Sequence, residues 1–222
     1  MLSSKTLTAE LLLERWLDVI GKHRKRKNQG LMFTPIVDNR GELGFVTIHS
    51  TIEGVPYKKI PAELVRNVED IVRYCAEHDE IGVVVLDEGH MYEGDHAGSI
   101  KELKKMGVHV FGTYLDNDFR ARPFEMPNGT ETTETIREAV ADKHIALFAY
   151  CEEPRNGDVC GNFGDYSQRF LRDGRIAPLD TSTLGVGGKK GVDTEHEFSY
   201  RPVCRHCYVK PAATMAELDA MS

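Results

Sequence analysis

From Leu7 to Ile20 the apolar residues Leu11, Leu12, Leu13, Trp16, Leu17 and Ile20 recur at helical spacing, which predicts an amphipathic helix ended by Gly21. Gly30 then opens a short strand, Leu31-Met32-Phe33, closed by Pro35, and Phe45-Val46-Thr47-Ile48 is a second strand candidate. A helix is expected from Pro61 to Ala76, with the proline in its first turn. Val83-Val84-Val85-Leu86 is an uninterrupted apolar run, and such runs belong to parallel strands buried on both faces. A helix around Ser99–Met106, a strand Val108–Phe111, a helix over Thr135–Ala141 and a strand Ile145–Ala149 complete the alternation. Strands alternating with helices predict an α/β domain built on a parallel sheet. After Tyr150 the periodicity stops, and the stretch from Cys151 to Cys207 is rich in glycine and charge.

The 222 residues are enough for one large domain, or a medium domain with a small appendage. A composition of 41% hydrophobic and 28% charged residues is that of an ordinary globular chain. The net charge of −7 argues against general nucleic-acid binding, which needs a basic face. The one basic run, Lys22 to Lys27, reads as a solvated helix end. No apolar stretch approaches ~20 residues, so no membrane-spanning helix is expected, and no secretory signal is visible at Met1. The expected location is therefore cytoplasmic.

Four of the five cysteines lie in the loop-rich stretch. Cys204-Arg205-His206-Cys207 has the spacing of a metal knuckle, and Cys151 and Cys160 form a wider pair. Two such pairs meet the tetrahedral demand of a structural Zn²⁺, and a metal would fix a segment too poor in apolar residues to build its own core. A redox dithiol is the competing use of the closer pair, but it lies outside a thioredoxin-like setting. Cys75, within an amphipathic helix, reads as a buried, inert thiol.

Two further segments carry candidate chemistry. Asp87-Glu88-Gly89-His90 follows the buried apolar run, where open α/β sheets bind ligands. Asp87 could hold Mg²⁺ and Glu88 could face a hydroxyl that must lose its proton. Ser3-Ser4-Lys5-Thr6 precedes the first helix, where backbone N–H groups, a lysine and a hydroxyl suit a phosphate and its metal. A serine cap is the plainer explanation of that tetrapeptide alone.

Together these residues resemble the thymidine kinase family of the zinc-bearing, lasso-loop type. Met1-Leu2-Ser3-Ser4-Lys5-Thr6 is similar to the tail of its phosphate loop, Pro35-Ile36-Val37-Asp38-Asn39-Arg40 to its P-x-x-D-x-R segment, and Asp87-Glu88-Gly89-His90 to its D-E-[AG]-Q. The run Leu115 to Phe124 resembles L-D-x-x-F-x-x-x-P-F. Cys160-Gly161 with Ser167-Gln168-Arg169, and Tyr200 to Tyr208, resemble the two cysteine-bearing motifs.

The resemblance implies a RecA-like nucleotide-binding domain over residues 1–149, a small zinc-ribbon-like lasso domain over 150–210, and a tail over 211–222. It implies ATP-dependent phosphorylation of thymidine to its 5′-monophosphate, with Mg²⁺ accompanying ATP, and a homo-oligomer, a tetramer in the family. By the same resemblance Glu88 is the general base. Ser3, Ser4, Lys5, Thr6, Asp38, Arg40, Asp87 and His90 belong to the ATP side, with Thr6 and Asp87 on Mg²⁺. Met1, Leu115, Phe119, Phe124, Tyr200 and the lasso residues Thr183, Leu184, Gly185, Val186 and Gly187 belong to the nucleoside. Cys151, Cys160, Cys204 and Cys207 hold zinc.

The chain departs from the pattern at several points. Ser4 stands where the family has glycine, and His90 where it has glutamine. The Cys151–Cys160 spacing is expanded, and residues 189–198 form an insertion. The family's first strand has no counterpart, which leads to the expectation that Met1 is an internal start. A non-catalytic, nucleoside-binding remnant of the same fold is the alternative reading. An ATP hydrolase without a nucleoside acceptor ranks below it, because it leaves Phe119 and Phe124 unexplained.

Overall fold

The computed structural model describes residues 5–38, 42, 44–48, 58–181 and 198–221. They form two compact units, one drawn from residues 5–116 and 124–145, the other from residues 117–123 and 146–221.

The first unit opens with helix α1 (Lys5–Val19), followed by strands β1 (Gln29–Pro35), β2 (Phe45–Ile48), β3 (Lys58–Pro61) and β4 (Glu63–Val65). Helix α2 (Val68–Glu77), strand β5 (Ile81–Leu86), helix α3 (His96–Lys105), strand β6 (His109–Gly112) and helix α4 (Thr133–Val140) complete it. Four strands form one parallel sheet in the order β4-β1-β5-β6, and β2 pairs antiparallel with β3 beside it.

Every residue of β5 is buried, and the pleat divides them between two faces. Val83 and Val85 pack with Ala9, Leu13 and Trp16 of α1. Val84 and Leu86 pack with Ile71 and Cys75 of α2 and Leu103 of α3. A polar substitution at any of these positions faces a helix, which is why the run reads as continuously apolar. Gly82 has no room for a side chain: a Cβ there would stand 2.0 Å from the Lys27 carbonyl oxygen. Burial pushes the Cys75 thiol up to about 11, which suits the inert role expected of it.

Two expected elements are corrected. Pro61 ends a strand rather than starting a helix, and α2 begins at Val68. Its start is set by a capping box in which the Asn67 side chain takes the N3 backbone N–H and Asp70 accepts from the Asn67 N–H at 3.3 Å. Residues 63–65 instead pair with β1, from Phe33 opposite Glu63 to Pro35 opposite Val65. The strand expected at Ile145–Ala149 does not join the parallel sheet. Ala149 and Tyr150 form only a two-residue ladder with Gly164 and Phe163, and Ile145, Leu147 and Phe148 are exposed. The basic run begins in a single 3-10 turn (Gly21–His23) that follows α1 and carries Lys22 and His23 at its end; Arg24 sits over the Trp16 ring at 5.4 Å.

In the second unit, β7 (Ala149–Tyr150) pairs with β10 (Phe163–Gly164), enclosing the hairpin of β8 (Pro154–Arg155) and β9 (Asp158–Val159). Asn156 and Gly157 at its tip both have positive φ, as a two-residue hairpin turn requires. Strand β11 (Tyr166–Phe170) pairs antiparallel with β12 (Ser199–Val203), and α5 (Met215–Ala220) lies near the carboxyl end. No helix among the described residues is long and apolar enough to cross a membrane.

Candidate active site and metal centre

The carboxyl end of β5 brings together residues from three distant segments. Thr6 Oγ1 donates to Asp87 Oδ1 at 2.9 Å, and Thr113 Oγ1, just past β6, donates to the same oxygen at 3.0 Å. Lys5 Nζ lies 3.4 Å from Glu88 Oε2. Asp87 is buried, whereas Lys5 and Glu88 side chains each keep 15% of their exposure. α1 therefore delivers its first two residues onto the two acids that end the buried strand.

Glu88 sits in the left-handed region, φ 47°, ψ 47°. A non-glycine residue there is strained by about 1 kcal/mol or more, and such strain concentrates at functional sites. The surroundings hold it: the Glu88 N–H donates to Thr113 Oγ1 at 3.0 Å and the Gly89 N–H to the Thr113 carbonyl at 2.7 Å. Gly89 is required by the Tyr114 ring, since a Cβ at position 89 would fall 2.4 Å from it. The Tyr114 hydroxyl in turn meets the ring of buried His96 at 3.5 Å, and His96 Nε2 reaches the Tyr92 carbonyl at 2.9 Å. Gly89→Ala is expected to lower stability by about 1–3 kcal/mol through overpacking and to move Glu88 with the turn. Urea unfolding reads the first effect, and turnover the second.

Burial, followed by the neighbouring charge of Glu88, holds the Asp87 carboxyl above the usual carboxylate range; the Thr6 and Thr113 hydroxyls and Lys5 oppose this. Two adjacent acids suit a divalent cation, and the lysine beside them suits an anionic phosphate. Among the described residues no third His, Cys, Asp or Glu side chain lies close enough to complete a cage around them. That fits magnesium, which is held by one or two carboxylates and completes its shell with water and phosphate oxygens.

His90 is buried beneath the turn. Its Nδ1 accepts from the Leu115 N–H at 3.4 Å, its ring meets Phe124 edge-on with centroids 4.6 Å apart, and Nε2 lies 3.6 Å from Glu88 Oε2. Asp38 follows β1 in a turn closed by its N–H to the Pro35 carbonyl. Burial, then the charges of Asp87, Tyr114, Glu88 and Asp38, raise the Tyr92 hydroxyl well above its ordinary range. Thr113 is the site residue that sequence reasoning missed. A lone threonine after Val110-Phe111-Gly112 carries no periodic or motif signal, and only the sheet register shows where it falls.

The candidate nucleoside residues divide between the units. Leu115 and Phe124 lie in the first; Phe119 and Tyr200 lie in the second. There the buried Arg169 guanidinium stands 3.5 Å from the Phe119 ring centroid and 4.1 Å from that of Phe198. It also bonds to Thr181 Oγ1, and Tyr200 stands opposite Arg169 in the β11–β12 register. Tyr208 Oη donates to the Phe119 carbonyl at 3.1 Å. Arg169→Met is expected to loosen the 117–123 segment, because an aliphatic chain keeps the volume but loses the stacking and the bond to Thr181. Faster amide exchange at Phe119 would register this. Met1, Ser3, Ser4, Arg40 and Thr183 to Gly187 lie outside the described residues.

The four cysteines converge in the second unit. The Sγ atoms of Cys151, Cys160, Cys204 and Cys207 all lie within 4.8 Å of one another, and those of Cys160 and Cys204 are 3.9 Å apart. Sulfurs placed ~2.3 Å from one tetrahedral centre stand about 3.8 Å apart, so the donor set fits a metal. The Asn156-Gly157 hairpin absorbs the expanded spacing between the first two cysteines. Burial opposes ionisation of Cys204, but the backbone N–H groups of Cys207 and His206 and the neighbouring thiols outweigh it and bring this thiol down to about 6. Asn162 Nδ2 donates to Cys160 Sγ at 3.4 Å, as groups around metal-bound sulfurs do.

A parallel sheet whose acidic strand end meets a helix bearing Lys-Thr, joined in one chain to a four-thiol centre, defines a nucleotide-binding α/β protein with a metal-knuckle unit. The family model described as thymidine kinase matches residues 8–208. The chain is 31% identical over 188 residues to a thymidine kinase of Roseiflexus sp. (strain RS-1), covering 83% of this chain and 82% of that one. It is 30% identical over 188 residues to a thymidine kinase of Roseiflexus castenholzii, covering 83% and 81%. The chain belongs to the thymidine kinase family. Lys5 and Thr6 precede the matched residues; their contacts with Glu88 and Asp87 tie them to the site.

Proposed function

We propose that the chain transfers the γ-phosphoryl group of ATP to the 5′-hydroxyl of thymidine. The observation that carries the reading is the pairing at the end of β5, with Asp87 bonded to Thr6 and Glu88 facing Lys5. Phosphoryl transfer depends on positioning and electrostatics, and these residues supply both. Glu88 accepts the proton of the nucleoside hydroxyl as its oxygen attacks the γ-phosphorus and the bond to the β,γ-bridging oxygen breaks, releasing ADP. Lys5 moves from Glu88 to the phosphoryl oxygens when the triphosphate binds, which frees the carboxylate to act as base. Asp87 and Thr6 would hold the magnesium that accompanies ATP, which would offset charge on the phosphates. Asp38 and Arg40 are assigned to the triphosphate, as are Ser3 and Ser4. Met1, Leu115, Phe119, Phe124, Tyr200 and residues 183–187 are assigned to the nucleoside.

The metal of the four thiols is zinc in this reading, since an all-thiolate tetrahedron suits it and its role is structural. A cytoplasmic homotetramer is the expected state.

Incubating the purified chain with ATP, Mg²⁺ and radiolabelled thymidine tests the proposal, with thymidine 5′-monophosphate as the expected product. Thymidine binding without product would favour the non-catalytic remnant, and thymidine-independent release of phosphate would favour a hydrolase. Asp87→Asn supplies a second arm. It removes a buried charge while keeping an oxygen for Thr6 and Thr113, so activity is expected to fall at least about a hundredfold while stability does not drop. A matching loss of stability in thermal melts would mean that the site is structural.

A further inference from the structure

Resting on the reading of Glu88 as base, we infer that His90 is a positioning residue for that base rather than a ligand of the nucleotide. The ring's contacts determine its tautomer. Nδ1 accepts the Leu115 N–H, so in the neutral ring the proton sits on Nε2, the nitrogen 3.6 Å from Glu88 Oε2. That separation lies just beyond hydrogen-bond length, and bonds of this kind tighten when substrate is in place. The ring cannot easily turn away. It is 1% exposed, the Phe124 ring meets it edge-on, and the backbone N–H that fixes Nδ1 belongs to the strand-end segment carrying Thr113 and Tyr114.

Glu88 Oε2 is therefore faced by two donors of different character. Lys5 is a charged, part-exposed side chain at 3.4 Å, whereas His90 is a fully buried one at 3.6 Å. When Lys5 turns to the phosphates, His90 stays beside the carboxylate. An N–H directed at Oε2 helps to fix the plane of the group. A neutral donor does so without the strong loss of basicity that a fixed cation would impose. Asp87 repels the charge of this carboxylate, and the Thr113 hydroxyl accepts from the Glu88 backbone N–H. Phe124 also gains a place in this account, as the wall that keeps the imidazole in its plane.

The test uses the full chain with ATP, Mg²⁺ and thymidine, comparing His90→Phe and His90→Gln with the unaltered protein. His90→Phe keeps an aromatic ring against Phe124 but has no donor. Its kcat is expected to fall tenfold or more, with KM for ATP and thymidine changed less than twofold. Glutamine can restore a donor, so His90→Gln is expected to recover most of kcat. In a Glu88→Gln background His90→Phe should add nothing further, because the two residues act as one unit. A raised KM for ATP at unchanged kcat would overturn the inference and make His90 a nucleotide ligand. Unchanged kinetics in His90→Phe, or equal losses in the Phe and Gln variants, would overturn it as well. Nitrogen-detected NMR of the imidazole separates this inference from the functional reading. The Nε2–H tautomer with a resonance that moves on Glu88→Gln is expected even if thymidine is not the acceptor, and an Nδ1–H tautomer would overturn the pairing outright.

Discussion

Glu88→Gln is expected to lower kcat by about 10²–10⁴, the span general-base catalysis contributes, while the protein melts within a few degrees of its parent. The substitution preserves size and the ability to sit in the turn, and removes only the capacity to take a proton. Its ion pair with Lys5 is worth little to folding, since a partly exposed pair contributes about 0–1 kcal/mol. Glu88→Gly sharpens the contrast. Glycine accepts φ 47° without strain, so stability should be no lower than that of the parent, yet turnover should vanish. Thermal melts beside steady-state rates read both outcomes. A protein that loses stability and activity in proportion would instead make the carboxylate a structural group.

The second large effect is expected at the four thiols. Cys204→Ser, or stripping the metal with a strong chelator, should abolish the ordered packing of residues 149–181 and 198–208 rather than trim it. Cys151, Val203 and Cys204 are the buried apolar centre of this region, with Tyr166 and Tyr208 packed on them. That is a small core, and structural zinc in comparable peptides contributes about 10–16 kcal/mol of apparent binding free energy at neutral pH. Elemental analysis should find about one zinc per chain in the parent protein. Amide exchange should then show the β11–β12 ladder opening when the metal is removed. Retention of that protection without metal would contradict the assignment of a structural centre.

How much could be read beforehand depended on whether local pattern and tertiary placement agreed. β5 was legible because both of its faces are covered by helices, so each of its six residues had to be apolar. Pro61 misled because proline suits a helix's first turn as well as a strand's end, and pairing of residues 63–65 with β1 decided between them. The Asn67–Asp70 capping box was the local signal of the true start. Ile145 to Phe148 has the composition of a strand, but a strand exists only where a neighbour offers a ladder, and here just Ala149 and Tyr150 found one.

The site followed the same logic. Lys5, Thr6, Asp87 and Glu88 belong to short motifs whose chemistry is written in their side chains. Thr113 becomes significant only because β6 lies beside β5 and carries the hydroxyl to Asp87. His90 stood out as a departure from a glutamine, yet which nitrogen faces Glu88 depended on a backbone N–H twenty-five positions away. The wide cysteine spacing looked like a weakness in the metal reading. It is accounted for by a hairpin whose Asn-Gly turn was visible in the sequence all along.

The account stands on one claim, that the acid ending β5 deprotonates a nucleoside hydroxyl while Lys5, Thr6 and Asp87 hold the phosphate donor. A single-turnover reaction with γ-³²P-labelled ATP, Mg²⁺ and thymidine addresses it most directly. The prediction is label transferred to thymidine 5′-monophosphate by the parent protein, and a Glu88→Gln variant that still binds ATP but transfers none on the same timescale. Equal transfer by both proteins, or label appearing only as inorganic phosphate whether or not thymidine is present, would contradict it.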